Sequence, residues 1–188
     1  MSLKILSFYF GLFNFLILQI AYPAFAKNNF IPLRQEIAPP PPGAIDLCDR
    51  YQWACDFSGK LNGNNDFKVA QRLNNEINRK YHQVEDSIQY RVKEYWALPT
   101  QRGGDCEDFA LLKKMTLIRY GFLPENLLIT TVLDRQKRSH AVLVLLTQAG
   151  DFVLDNRVNK IKAWNQTGYF FLKIQDPQDP TRWRFVLE

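Results

Sequence analysis

The first apolar stretch of the chain carries no helical or strand period. After Lys4, residues 5–21 are almost continuously apolar, broken by Asn14 and Gln19, and Ala24-Phe25-Ala26 follows just before Lys27. A basic start, an apolar run and two small residues flanking one position make the three-part pattern of a secretory signal peptide, so residues 1–26 are expected to be removed on export. An uncleaved membrane anchor is the alternative reading of such a run, and the two amides inside it argue against that. Residues 27–43, rich in asparagine and proline and including Pro39 to Pro42, read as a flexible, Pro-rich, poorly ordered leader. Between Asp66 and Val84 the pattern becomes helical. Phe67, Ala70, Leu73, Ile77, Tyr81 and Val84 recur at steps of three and four, with Asn65 or Asp66 placed to cap. His82, near the expected end of this helix, reads as an exposed imidazole. A second helix is predicted to hold Cys106 in its first turn, bury Ala110, Leu111, Met115, Leu117 and Ile118, and stop at Gly121.

Beyond Pro124 the period shortens. Runs rich in branched residues occupy 127–133, 140–147 and 152–155, parted by the polar segments 134–138 and 148–151, which predicts an antiparallel meander. Both alternating sets within Ala141 to Leu146 are apolar, so that strand is expected to be central and covered on both faces. Helices come first and strands second, giving an α+β domain over residues 44–188 with N-terminal helices packed on an antiparallel sheet.

Composition adds limits. With 46% apolar residues in 188, the chain can bury one sizeable core, which excludes a disordered protein. The net charge of +5 is spread over scattered residues such as Arg79-Lys80, Lys113-Lys114 and Lys137-Arg138. Such a small, dispersed excess reads as solvated surface, so no nucleic-acid partner is expected. After signal cleavage no stable membrane span is expected either.

Export changes the meaning of the cysteines, because a close pair outside the cytoplasm tends to oxidise. Cys48 and Cys55 are such a pair, and a bridge between them would tie down the N-terminal region; two buried thiols are the alternative. Cys106 is then left over, either inert in packing or kept reduced for chemistry.

A nucleophilic cysteine needs a base within hydrogen-bond reach and a group that orients that base. Cys106 sits at a helix N-terminus, whose free N–H groups favour a thiolate and can donate to an oxyanion. Gly103 and Gly104 before it would let a substrate backbone approach. His140 opens one strand and Asp155 closes the next, so a Cys-His-Asp triad is possible if the two strands pair in a suitable register. A turn at Ala149-Gly150 would leave Asp155 opposite Val144 and roughly 13 Å from His140 at ~3.3 Å per residue, which is too far. A turn at Gln148-Ala149 places it opposite Val142, diagonal to His140, and one at Thr147-Gln148 directly opposite. Asn156 is the substitute orienter. Asp105, Glu107 and Asp108 crowd Cys106 with negative charge that should raise the thiol pKa. Either a hard cation such as Ca²⁺ neutralises them, or they serve the helix first turn and face solvent.

Tyr95-Trp96-Ala97-Leu98-Pro99, Gly104-Asp105-Cys106-Glu107-Asp108-Phe109-Ala110, Ser139-His140-Ala141-Val142-Leu143, Val153-Leu154-Asp155-Asn156, Thr167-Gly168-Tyr169 and Asp179-Pro180-Thr181-Arg182-Trp183 occur in this order. In that array the chain resembles the bacterial transglutaminase-like cysteine proteinases, from about Cys48 to Trp183. The resemblance implies a papain-like or transglutaminase-like fold, Cys106 as nucleophile, His140 as base and Asp155 as orienter. It further implies a periplasmic peptidase acting on a protein or peptide substrate in the cell envelope. The best understood relatives clip the N-terminal region of a large surface adhesin and bind calcium through acids that correspond to Asp105 and Glu107. No cofactor is required for the chemistry itself. Trp96 reads as a core aromatic or as a cleft residue. The same acyl-enzyme could pass to an amine, so a transglutaminase or amide acyltransferase is the nearest rival. A non-catalytic envelope-binding module on the same fold is the rival from another class.

Overall fold

The helical period of the first amphipathic segment produces a helix that starts where the cap predicts. Asp66 Oδ1 accepts the Lys68 N–H at 2.8 Å, and the helix covers Phe67–Lys80. It ends at Lys80, short of Val84, because the following backbone forms a parallel bridge between Gln83 and Gly104. His82 therefore lies beyond the helix with its side chain exposed, and its carbonyl accepts the Gly104 N–H at 3.1 Å. In chain order this helix is α2, after the short α1 (Leu47–Arg50) and before the short α3 (Asp86–Gln89) and the long α4 (Cys106–Arg119). In this computed structural model residues 28–60 and 62–187 are described, and the proposed signal peptide lies outside them.

Among the described residues seven strands form one antiparallel sheet: β1 (Leu33–Ala38), β2 (Leu127–Leu133), β3 (Ser139–Thr147), β4 (Gly150–Leu154), β5 (Lys162–Ala163), β6 (Phe170–Asp176) and β7 (Asp179–Val186), in the order β1-β7-β6-β2-β3-β4-β5. The α+β class and the helix-on-antiparallel-sheet layout hold. The β2-β3-β4 meander read from the branched runs is its central part.

Both faces of the sheet are apolar. Leu127, Ile129, Leu143, Leu145 and Leu154 pack with Ala110, Leu111 and Leu117 of α4 and with Ala70 and Leu73 of α2. On the other face Leu128, Val132, Val142, Val144, Val153, Phe171 and Ile174 pack with Ile31 and Val186. Burying a leucine-sized side chain contributes ~1.5–3 kcal/mol, so these two layers carry most of the stability.

The second face corrects the expectation of a poorly ordered leader over 27–43. The Asp151 N–H donates to Asn29 O at 2.9 Å, Trp164 Nε1 donates to Asn28 O at 3.1 Å, and the Leu187 N–H donates to Pro32 O at 2.8 Å. Residues 28–32 thus cross from β4 to β7, and residues 33–38 add an edge strand to β7. Its asparagine- and proline-rich composition concealed the segment, because apart from the buried Ile31 and Ala38 it is held chiefly by backbone hydrogen bonds that any sequence can make.

A second correction concerns Lys113 and Lys114, which are not solvated. Both are about 99% buried or more, because α4 is covered by α2 on one side and by the sheet on the other. Lys114 Nζ donates to Gln175 Oε1 at 2.9 Å.

Cys48 and Cys55 form a disulfide that closes the turn after α1. Trp96 is a core residue, 2% exposed and stacked edge-on against Trp183 with ring centroids 5.8 Å apart.

Candidate active site

The start of α4 is set by a turn that packs inward. Gly103 has φ +118°, and a Cβ there would lie 2.0 Å from His82 O. A Cβ on Gly104 would lie 2.4 Å from Asp108 Oδ2. The two glycines therefore serve close internal packing, and the expectation that they clear space for a substrate backbone is corrected. Asp108, fully buried, holds the preceding segment by accepting the Ala97 N–H at 2.8 Å.

This turn delivers Cys106 to the edge of the central strand. Pairing of β3 with β4 begins at Leu143↔Leu154, so β3 has no strand neighbour on that side over Ser139–Val142. Cys106 Sγ occupies this edge and accepts the Ala141 N–H at 3.3 Å, beside His140. The β3–β4 register pairs Thr147 with Gly150, which puts the turn at Gln148-Ala149 rather than at the Ala149-Gly150 signal. Asp155 consequently falls diagonal to His140. His140 Nε2 and Asp155 Oδ1 are 3.0 Å apart, and both side chains are buried. The other ring nitrogen, Nδ1, is buried with no hydrogen-bond partner among the described residues. Asn156, the substitute orienter, is not needed for this contact.

Asp155 is held from several directions. Its Oδ1 also accepts the Arg157 N–H at 2.9 Å, and its Oδ2 accepts the Tyr169 hydroxyl at 2.6 Å. The Tyr169 ring packs edge-on against His140 with centroids 5.6 Å apart. Asn78 of α2 donates to the Asp155 carbonyl at 2.8 Å. Burial opposes ionisation of Asp155, yet the hydrogen bond and charge of His140 outweigh it and keep the pKa below the ordinary carboxylate value. Tyr169 and Asn78 were not singled out from sequence as site residues. Their signal is tertiary, since neither a tyrosine near a turn nor an asparagine on a helix face announces a partner far along the chain.

The acids around the cysteine do not face solvent. Asp105 and Glu107 are 7% and 4% exposed, and Asp86 of α3 joins them at 2%. One carboxylate oxygen from each of the three lies within 4.8 Å of the others. Burial pushes Glu107 up to about 10, with Asp105 adding repulsion, and pushes Asp105 up to about 6. Burial, followed by the charge of Glu107, also raises the Cys106 thiol well above its ordinary value. The thiol donates to Glu107 Oε2 at 3.0 Å. Asp105 Oδ1, Glu107 Oε1 and Asp86 Oδ1 are buried with no hydrogen-bond partner among the described residues. Three oxygen donors of this kind, orphaned and mutually repelling, fit a hard divalent cation such as Ca²⁺. Asp86 could not be placed there from sequence, because it lies on a separate short helix.

Comparison with known proteins agrees with this layout. A family profile described as bacterial transglutaminase-like cysteine proteinase, BTLCP, matches residues 34–188. No match was found among curated proteins. Among solved structures, Legionella pneumophila LapG is similar at 26% identity with a TM-score of 0.50, over 57% of this chain and 62% of that one. Its EGTA-treated form gives the same figures. The calcium-bound form gives 28% identity and a TM-score of 0.49, over 57% and 64%. The chain thus spans less than two thirds of the length of these structures. With the profile covering the whole arrangement from the first strand to the last, the chain belongs to the family of bacterial transglutaminase-like cysteine proteinases.

Proposed function

We propose that this protein is an exported, periplasmic cysteine peptidase that cleaves amide bonds of a cell-envelope protein through Cys106, His140 and Asp155. The observation that carries the reading is the convergence of three separate elements. A thiol at a helix N-terminus lies against the backbone of the residue after His140, and that imidazole is anchored by Asp155 through Nε2 while Nδ1 stays buried and unpaired. Nδ1 is thereby the nitrogen left to take the thiol proton. The sulfur then attacks the amide carbonyl, N–H groups at the start of α4 hold the oxyanion, and His140 returns the proton to the leaving amine. Water hydrolyses the thioester with His140 as base. Incubation of the mature protein with an envelope extract, followed by mapping of new peptide N-termini, tests the reading. Hydrolysis requires new termini, whereas incorporation of a labelled amine in their place would assign the protein to acyl transfer.

Asp105, Glu107 and Asp86 would hold a calcium ion. Bound there, the ion would cancel the negative charge next to the sulfur and so favour the thiolate. Glu107, which otherwise receives the thiol hydrogen bond, would be engaged as a ligand and leave Cys106 to turn toward His140. Saturating calcium is expected to raise Tm by about 5–10 °C. At a hundredfold excess over Kd, binding contributes ~2.7 kcal/mol, and ~2–4 °C accompanies each kcal/mol in a domain of this size. Asp105→Ala should remove that rise. An identical melt with calcium and with a chelator would return the acids to a purely structural role.

Tyr169 acts as a positioning residue through Asp155. A hydrogen bond to a charged group contributes ~1.5–3 kcal/mol, so Tyr169→Phe is expected to lower kcat about tenfold or more with KM little changed. A change confined to KM would mean that the hydroxyl does not position Asp155.

A further inference from the structure

Next to the His140–Asp155 pair lies a groove of about 310 Å³, four of whose nine lining residues are cationic. Arg135 and Arg138 come from the β2–β3 turn, Arg157 follows Asp155, and Lys162 belongs to β5. Asp134 is the acid among the lining residues. It accepts from Arg138 Nε at 2.8 Å and from Arg157 Nη1 at 3.0 Å, so it orients two guanidiniums while neutralising one charge. Arg135 is placed as deliberately. A Cβ on Gly168 would lie 2.6 Å from Arg135 Nε, so the guanidinium rests directly on the glycine backbone, where φ is +73°. A smaller pocket shares Val158, Lys162, Thr167 and Tyr169 with the groove, adds Lys160, and reaches Asp155.

Resting on the peptidase reading above, we propose that this groove binds an acidic stretch of the polypeptide substrate on the leaving-group side of the bond that is cut. The side follows from the order of the groups. Cys106 Sγ meets the Ala141 N–H, whereas Asp155 meets His140 Nε2, and Tyr169, bonded to Asp155, lines the groove, so the groove lies beyond the Asp155 end of the imidazole. His140 must protonate the leaving amine, so the chain beyond that amine leaves past the imidazole toward the basic walls. Four cations facing one carboxylate in a concave site attract carboxylates over a range of about 8–10 Å at moderate salt. Tyr169 and Arg157 line the groove and also bond Asp155, so a segment seated there would lie against the groups that orient the base. This substrate class is not legible in the chain's small net charge, since the lining residues are brought together from 134–138, 157–169 and nowhere form a run.

The test separates binding from catalysis. A fluorescein-labelled ten-residue Glu/Gly peptide is titrated, by anisotropy, into the mature Cys106→Ala protein, with a Lys/Gly peptide of equal length as control. The Glu/Gly peptide is expected to bind at low salt, to weaken at least tenfold between low and high salt, and to weaken at least tenfold in Arg135→Glu/Lys162→Glu. Both substituted side chains reach solvent, and an unchanged melting curve confirms that the double variant folds. Arg34→Glu/Arg182→Glu, on β1 and β7 at the opposite edge of the sheet, should leave binding intact. Absence of binding, equal binding of the Lys/Gly peptide, or equal weakening by the β1 and β7 charge reversals would overturn the proposal. These outcomes are independent of the peptidase reading, which stands or falls on whether the unsubstituted protein generates new N-termini.

Discussion

Cys106→Ala is expected to abolish the proposed peptidase activity, by about 10⁴-fold or more, with the melting curve close to that of the parent. The sulfur is the one atom at this site able to form an acyl intermediate. Removing it leaves the helix N-terminus and the binding surface in place, which alone give only the residual catalysis of positioning. Little stability should be lost, because Cys106 belongs to neither apolar layer of the sheet and its thiol bonds the Ala141 N–H and Glu107. His140→Ala should be nearly as damaging, and the double variant no worse than either alone, since nucleophile and base act as one unit. The measurement is the rate of new N-terminus formation under single-turnover conditions. Substantial activity in Cys106→Ala would remove the assignment of the nucleophile, and additive losses would separate His140 from it.

The largest structural effect is expected at Gly103. Alanine there requires an L side chain at φ +118° and a Cβ 2.0 Å from a backbone carbonyl, so the turn before α4 must shift as a whole. Strained backbone costs about 1–3 kcal/mol and the clash adds to it, giving an expected loss of ~2–4 kcal/mol and a Tm drop of ~5–15 °C. Gly59→Ala is the control. Gly59 also has positive φ, at +62°, but its nearest neighbour atom would be 3.6 Å away. It should lose only the ~1–2 kcal/mol of the left-handed conformation. Because Gly103 sets where α4 begins, Gly103→Ala should also slow alkylation of Cys106 or change its pH dependence. Equal destabilisation by the two substitutions would mean that the contact with His82 O does not matter.

The periodic elements of this fold were legible in the chain. The 3.6 period with its Asp66 cap, the Gly121 stop after α4 and the branched runs of β2 to β4 each describe local geometry that a few neighbouring residues dictate. Requiring Asp155 to reach His140 narrowed the turn to Gln148-Ala149 or Thr147-Gln148, because few registers bring the groups together, and the structure takes the first. What was missed shares another character. The strand over Leu33–Ala38 looked like leader because an edge strand needs only backbone partners. Lys113 and Lys114 looked like surface because their burial depends on α2 and the sheet closing around α4 from both sides.

The chemistry divides in the same way. A thiol preceded by two glycines and flanked by acids, a histidine at the head of an apolar strand and an aspartate at the end of the next could each be named from the chain, since residue type and local position define a candidate nucleophile, base and orienter. That the sulfur sits at an unpaired strand edge, that Asp86 joins Asp105 and Glu107, that Tyr169 holds Asp155, and that scattered arginines line one groove was decided by the tertiary structure. These contacts join residues far apart along the chain. Their energies depend on distance and on exclusion of water, neither of which exists until the two faces of the sheet have been covered.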